Sequence, residues 1–259
     1  MQTGMVDMES NTTLVQSFPA HEAVPQGAGP FPAVIVAHDQ FGLNPHAKGI
    51  ANRLARAGFY ALAPNFYARP TSVADVAPDF LRPAVATHFE YGDADRASDA
   101  AAMLPDDRGL SIFRQAIGYA STRGKVRSGG VGVLGFSMGG RLAFLAACRF
   151  PGQVRAGVCF YAKGIAEPLH PSSAAMAPLD LARELEAPLL LFYGQLDTTI
   201  ARQEHEAIRK RLTELGKEFR MEVFHDAGED FFCEERDTYR IHASKVAWEE
   251  TLALFRRCL

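Results

Sequence analysis

An α/β fold with a doubly wound, mostly parallel sheet and helices on both faces is the fold class that this sequence of 259 residues predicts. Short β-branched runs alternate along the chain with segments whose apolar residues repeat at helical spacing. Repeated β-α units of this kind form parallel sheets that helices cover on both faces. No long linker or internal repeat divides the chain, so we predict a single domain over residues 1–259.

The first part of the chain predicts two buried strands around one helix. Residues 33–37 form a β-branched run between a proline and a polar His-Asp pair, as in a buried parallel strand. Helical spacing over 47–57 ends at a glycine, and the apolar run 59–63 ends at a proline. Residues 1–30 are polar and predict an N-terminal extension or edge strands. Residues 70–92, rich in proline, predict an excursion over the top of the sheet.

The second part of the chain continues the alternation. Residues 131–135 form an apolar strand that enters a glycine-rich turn, and residues 139–149 predict the helix behind it. The same patterns predict helices over 94–103, 110–122, 202–215 and 242–255, and strands over 156–161, 189–193 and 221–225. Ligands of such folds bind beyond the carboxyl ends of the strands, so functional side chains are sought there.

Composition limits the classes of function. The formal net charge of −3 and the pI of about 6.2 give no electrostatic reason to bind nucleic acid or an anionic membrane. No apolar run approaches the roughly 20 residues that span a bilayer, and the first residues lack the basic and apolar regions of a signal peptide. We expect a cytoplasmic monomer or small homo-oligomer that acts on a small-molecule substrate. The four cysteines show no metal-ligand spacing, so neither a metal nor another cofactor is predicted.

One motif carries a specific chemical meaning. The predicted strand 131–135 runs into Gly-Phe-Ser-Met-Gly and then into a helix, which is the context of a G-x-S-x-G nucleophile elbow. The glycines allow a sharp turn that presents Ser137 Oγ and leaves the next amide available to an oxyanion. A serine that only caps a helix does not need glycine on both sides. Ser137 is therefore predicted to be a nucleophile.

Other polar side chains follow predicted strand ends. Asp197 comes after a strand and a glycine turn, where an aspartate can orient an imidazole or, alternatively, cap a turn. Lys163 follows another strand, where it either meets an anionic substrate or is solvated. The chain order of serine, then aspartate, then a third residue is that of hydrolases with this elbow.

Four motifs occur at compatible spacings along the chain: Val-Ala-His-Asp-Gln-Phe-Gly-Leu-Asn at 36–44, Ala-Pro-Asn-Phe-Tyr-Ala-Arg at 63–69, the elbow at 135–140, and Tyr-Gly-Gln-Leu-Asp at 193–197. Together they resemble the dienelactone hydrolase (carboxymethylenebutenolidase) family of the α/β-hydrolase superfamily. The resemblance extends from about residue 30 to the end of the chain.

The resemblance implies an α/β-hydrolase fold and an enzyme that hydrolyses small esters or lactones. It implies an oxyanion hole formed by the backbone amides of Met138 and Gln40. It also implies that Arg69 faces a substrate carboxylate. These roles are expectations carried over from the family motifs.

Four positions depart from the family pattern. Ser137 stands where the dienelactone hydrolase itself has cysteine, and Asp39 replaces a glutamate that contacts the resting nucleophile. Glu229 occupies the catalytic histidine position of an Ala-Gly-His-x-Phe motif, which reads Ala-Gly-Glu-Asp-Phe here. Cys233 stands where the family enzyme has a second substrate-binding arginine.

The identity of the general base is therefore open at the level of sequence. A glutamate with an ordinary pKa of about 4.3 is too weak a base for a serine hydroxyl. Burial and a neighbouring Asp197 would raise the pKa of Glu229 and let the two carboxyl groups share a proton. His225 and His38 also fall near the strand ends, where each either acts as the base or makes a structural hydrogen bond.

Three hypotheses from different classes follow. The first is a serine hydrolase of small esters or lactones, with Ser137, Asp197 and either His225 or Glu229 as base. The second is an isomerase, lyase or cyclase that moves protons with Asp39, Asp197 and Glu229. The third is a catalytically silent relative that binds a small ligand. The intact elbow favours an enzyme, with the hydrolase as the first hypothesis.

Overall fold

The structure is a computed structural model, and it describes residues 1–9, 17–68, 88–167 and 176–259. Most of the excursion predicted over residues 70–92 lies outside the described residues. Contacts within the chain define two compact units, Met1–Ser128 and Gly129–Leu259. Each unit is described by itself below.

The first unit contains four hydrogen-bonded strands in the order β1-β2-β4-β3. Its strands are β1 (Gln2–Glu9), β2 (Ser17–Val24), β3 (Phe31–Ala37) and β4 (Tyr60–Pro64). Strands β3 and β4 are parallel, whereas β1 pairs antiparallel with β2 and β2 pairs antiparallel with β4. The polar N-terminal segment therefore forms antiparallel strands at the edge, which is the edge-strand alternative of the sequence analysis.

Three helices belong to the first unit: α1 (Pro45–Arg56), α2 (Ala94–Ala102) and α3 (Asp106–Ser121). Helix α1 begins where Asn44 Oδ1 accepts a hydrogen bond from Ala47 N at 2.9 Å, with proline at the first helical position. Its buried residues Ile50, Ala51 and Leu54 recur at helical spacing. Helix α1 therefore covers the sheet with the apolar face that the sequence predicts.

The second unit contains four parallel strands in the order β5-β6-β7-β8. They are β5 (Val126–Phe136), which begins just before the unit boundary, β6 (Val154–Phe160), β7 (Leu189–Gly194) and β8 (Phe219–Phe224). The helices are α4 (Met138–Arg149), α5 (Arg202–Glu214) and α6 (Ile241–Cys258). Each strand thus ends at one edge, immediately before a segment that carries a predicted site residue.

Two glycines show that helices cover both faces of the four strands of the second unit. A Cβ atom at Gly132 of β5 would lie 2.7 Å from the Phe255 ring of α6. A Cβ atom at Gly157 of β6 would lie 3.5 Å from Ala147 of α4 and 3.7 Å from Val133 of β5. Side chains alternate between faces along a strand, so neighbouring residues 132 and 133 point to opposite faces. Helices α4 and α6 therefore pack on opposite faces, and the predicted α/β fold class is confirmed.

The starts of two elements differ from the sequence prediction by four or five residues, for physical reasons. Strand β5 begins at Val126 rather than at residue 131, because Gly129 and Gly130 continue it with φ of 118° and 108°. Helix α3 begins at Asp106 rather than at residue 110, because its first turn holds two aspartates that suit a helix N-terminus. Within the described ranges, the helices are too short or too polar to cross a membrane.

Candidate active site

Ser137 has the backbone conformation of a nucleophile elbow. Its φ of 49° and ψ of −115° lie outside the regions that L residues normally occupy. Such strain persists only where the surroundings enforce it, and it concentrates at functional sites. A Cβ atom at Gly135 would lie 2.0 Å from the carbonyl oxygen of Gly139, so the turn requires glycine at that position.

Strand β6 supports the elbow from the side. Ser137 N donates a hydrogen bond to Phe160 O at 3.0 Å. A Cβ atom at Gly140 would lie 2.8 Å from the Ala162 side chain and 3.0 Å from Phe160 O. Close approach of neighbouring atoms thus explains Gly135 and Gly140 of the motif. Met138 begins helix α4 directly after the serine.

Substitution of Gly135 by alanine is expected to destroy the elbow. The added methyl group meets backbone atoms that cannot rotate away, so the free energy of unfolding should fall by about 3 kcal/mol or more. Thermal unfolding and reaction of Ser137 with a serine-directed probe measure the two effects. Gly49→Ala is the matched control, because a Cβ atom there has no neighbour within 4 Å and alanine favours a helix. Equal melting temperatures of the two variants would contradict this account.

The two carboxylate oxygens of Asp197 have different surroundings. Oδ1 accepts hydrogen bonds from Thr199 N at 2.7 Å and from Thr199 Oγ1 at 2.8 Å. Oδ2 is buried and has no hydrogen-bond partner among the described residues. A buried acceptor without a partner is costly. The side chain therefore caps its own turn with one oxygen and offers the other to a donor from elsewhere.

The loop that carries Glu229 lies directly against the Asp197 loop. Gln195 N donates to Phe224 O, and Leu196 N donates to Ala227 O, both at 2.8 Å. A Cβ atom at Gly194 would lie 2.4 Å from Ala227 O, so the approach of the two loops requires glycine there. These backbone contacts hold the loops of Asp197 and Glu229 side by side.

Aromatic packing also ties the Glu229 loop to the strand that ends at Ser137. The Phe232 ring lies 5.8 Å from the ring of Phe136 and 4.6 Å from that of Phe160. Phe136 immediately precedes Ser137, and Phe232 follows Glu229 by three residues. Phe231 is fully buried beside Tyr161, at 5.6 Å between ring centroids. The loop is thereby fixed at the same edge of the sheet as the elbow.

The environment of Glu229 changes its acidity. Burial, then the neighbouring carboxylate of Asp230, then that of Asp197 raise the pKa of Glu229 from its ordinary value of 4.5 to about 7. The ammonium group of Lys163 and a hydrogen bond from Thr199 act in the opposite direction on the same pKa. Lys163 itself is exposed at the end of β6. In the second unit, Asp197 and Lys163 are thus both close enough to Glu229 to act on it electrostatically.

The histidines considered from the sequence have other surroundings. In the first unit, His38 Nδ1 donates to Asp39 O at 2.7 Å, and Nε2 accepts from Phe66 N at 3.0 Å. Burial lowers the pKa of His38 to about 4, so this ring is a neutral structural bridge. The His225 side chain is exposed in the turn after β8. Glu229, by contrast, is half-buried beside Asp197.

Two further hydrogen bonds hold the segment that is expected to contribute to the oxyanion hole. Asp39 is buried, and its Oδ1 accepts a hydrogen bond from Phe41 N at 2.8 Å. The Tyr67 hydroxyl donates to Gln40 O at 2.7 Å. The backbone of Gln40 is therefore fixed on both sides. The roles expected of Asp39 and Gln40 stay predictions, and Arg69 lies outside the described residues.

The sequence analysis missed three residues of the site. Thr199 binds Asp197 through the Asp-Thr-Thr turn, a short-range pattern that an Asx turn could have revealed. Asp230 and Arg236 form an ion pair at 3.3 Å. Nothing in their spacing signals this contact, because it depends on how the loop after Glu229 folds back.

A mostly parallel sheet with a strained serine at a strand-to-helix turn and an acidic residue after a later strand defines an α/β-hydrolase. The family profile of the dienelactone hydrolases matches residues 18–259. A Methylorubrum extorquens protein named as a carboxymethylenebutenolidase is 31% identical, over 92% of this chain and 76% of the relative. The chain belongs to the dienelactone hydrolase family.

Two further relatives agree with this assignment. A Bradyrhizobium protein named as a 2-oxo-3-(5-oxofuran-2-ylidene)propanoate lactonase is 31% identical, over 92% of this chain and 88% of that protein. The crystal structure of a Klebsiella pneumoniae protein named as a dienelactone hydrolase superimposes with a TM-score of 0.83 at 26% identity. That alignment covers 99% of this chain and 98% of the other. The predicted family, fold and enzyme class, a hydrolase of ester or lactone bonds, are thus confirmed.

Proposed function

We propose that this protein hydrolyses small esters or lactones with Ser137 as nucleophile and Glu229 as general base. The observation that carries the proposal is the pKa of Glu229, which burial and two neighbouring carboxylates raise to about 7. A general base works best when its pKa lies near the working pH. The site therefore compensates for the missing histidine by changing the acidity of a carboxyl group.

The proposed reaction begins with attack of Ser137 Oγ on the substrate carbonyl carbon, while the Glu229 carboxylate takes the serine proton. The electron pair of the carbonyl double bond moves onto its oxygen, which the backbone amide of Met138 is proposed to bind. When the intermediate collapses, the ester C–O bond breaks and Glu229 returns the proton to the leaving oxygen. An acyl group remains on Ser137.

Water then completes the cycle. Glu229 takes a proton from the water molecule that attacks the acyl carbon, and the proton passes to Ser137 Oγ as the acid is released. Asp197 Oδ2, buried without a partner among the described residues, is the acceptor available to a protonated Glu229. Lys163 at the end of β6 is proposed to attract an anionic group of the substrate.

The close carboxyl groups also favour a second candidate function. A protonated Glu229 beside an ionised Asp197 is an acid and base pair, which suits proton transfer without a covalent intermediate. An isomerase or lyase of this type would not need an activated serine. The reactivity of Ser137 therefore separates the two functions.

Labelling by a fluorophosphonate probe tests the proposed hydrolase. We expect labelling at Ser137, identified by peptide mass spectrometry, at a rate that rises with pH through about 7 as Glu229 loses its proton. Ser121, on the exposed end of α3, is the internal control and should stay unlabelled. No labelling at Ser137, or a labelling rate that does not depend on pH across this range, would contradict the proposed mechanism.

A further inference from the structure

Asp230, the residue after Glu229, has an unusual backbone conformation. Its φ of 59° lies in the left-handed region, which favours glycine. The side chain carries a carboxyl group, and only 9% of its surface is exposed. An aspartate tolerates this region better than most residues do, but strain of this kind persists only where neighbours fix it.

The following loop supplies those neighbours. Arg236 Nε lies 3.3 Å from Asp230 Oδ2, and Cys233 N donates to Asp230 O at 2.9 Å. Phe231 and Phe232, both fully buried, anchor the chain immediately after Asp230. Burial raises the pKa of Asp230 and the carboxylate of Asp197 adds to this rise, whereas the guanidinium group of Arg236 opposes it. The loop thus holds a buried carboxyl group, paired with a guanidinium group, next to Glu229.

Charged groups reach Glu229 from three segments of the second unit. Asp230 belongs to its own loop, Asp197 to the loop between β7 and α5, and Lys163 to the segment after β6. Of the two carboxylates, Asp230 has the larger effect on Glu229. Asp230 in turn faces Arg236 and Asp197. No other charged group contributes to Glu229 within the part of the chain that the structure describes.

We propose that Asp230, locked in place by Arg236, is a positioning residue that makes Glu229 a base for neutral pH. The proposal rests on the proposed function of Glu229. It explains why a carboxylate occupies a strained and buried position beside another carboxylate, where like charges repel. In this arrangement Arg236 stabilises the charge of Asp230, and that charge keeps the proton on Glu229 until the pH approaches neutrality.

The test is a titration of the Glu229 carboxyl group by carbon NMR, with the resonance assigned from its loss in E229Q. In D230N the midpoint should fall by about one pH unit, which is about a tenfold loss of proton affinity, because a like charge has gone. Asparagine also tolerates the left-handed region. In R236Q, Asp230 loses the cation that stabilises its charge and takes up a proton, so it no longer repels the Glu229 carboxylate and the midpoint should fall as it does in D230N. R236K should restore it towards the value of the unmodified protein.

D226N is the matched control. Asp226 lies three residues before Glu229, in the turn directly after β8, and it is exposed. Water and salt screen an exposed charge, so this variant should leave the Glu229 midpoint nearly unchanged. For the same variants, kcat/KM on a small activated ester is measured as a function of pH, and the midpoint of its rise from acidic pH is compared with the NMR midpoint.

The outcomes separate the two proposals. Parallel shifts of the NMR midpoint and the kinetic profile to lower pH, in D230N and in R236Q, support both. If the NMR midpoint moves and the kinetic profile does not, Asp230 acts on Glu229 as proposed but Glu229 is not the base. A midpoint unchanged in D230N and R236Q, whatever their melting temperatures, means that the ion pair is only structural and overturns the inference.

Discussion

Replacement of Ser137 by alanine is expected to lower kcat/KM on a small activated ester by on the order of 10³ to 10⁶. The reason is that alanine removes the atom that forms the acyl intermediate, while the strained turn around it remains. A methyl side chain fits the same backbone, so the melting temperature should change little. Steady-state hydrolysis and thermal unfolding of the purified variant measure both effects.

Ser121→Ala is the matched control for this experiment, because its hydroxyl only donates to Gly118 O at the exposed end of α3. Retention of most activity in Ser137→Ala would show that catalysis does not pass through an acyl-serine. The carboxyl pair would then become the leading candidate for the chemistry. An unlabelled Ser137 in the unmodified protein would point in the same direction.

The sequence predicted the elements of the fold where one local signal dominates. The β-branched run at 33–37 became the buried end of β3, and helical spacing placed α1 to within two residues. The start of β5 was missed because Gly129 and Gly130 read as a break, although glycine can continue a strand with positive φ. Such boundaries depend on pairing with a neighbouring strand, which a single sequence does not reveal.

The residues of the site could likewise be predicted only where a short motif contains them. Ser137 and Asp197 belong to short motifs, so their positions followed from local sequence. The environment of Glu229 depends on the loop contacts at Gly194 and on the ion pair of Asp230, which join residues distant from any motif. The sequence could therefore indicate that Glu229 stands at the histidine position, but not that its pKa lies near 7.

Replacement of Glu229 by glutamine should lower kcat/KM by about 10² to 10⁴, the usual contribution of a general base. Glutamine keeps the shape of the side chain but cannot accept the serine proton. The remaining activity should also lose its rise with pH through about 7, where Glu229 titrates. Glu229→His should restore activity, because an imidazole can donate to Asp197 Oδ2 and accept from Ser137. Unchanged hydrolysis in Glu229→Gln would assign the base to another residue.

The same variant should reveal the raised pKa of Glu229 in the stability of the protein. The folded state holds the proton up to about pH 7, whereas the unfolded chain releases it near pH 4.5. Unfolding therefore releases a proton in this window, and stability of the unmodified protein falls as pH rises from the lower value to the higher. The loss is roughly 2 kcal/mol after allowance for solvent screening of a half-buried side chain.

Glutamine carries no such proton, so the melting temperature of Glu229→Gln should rise relative to that of the unmodified protein as pH increases across the window. Glu186→Gln, at an exposed site, is the control and should show no such gain. A difference between Glu229→Gln and the unmodified protein that stays flat with pH would mean that Glu229 is solvated or paired with Lys163, and the carboxyl group would then be too acidic to serve as the base.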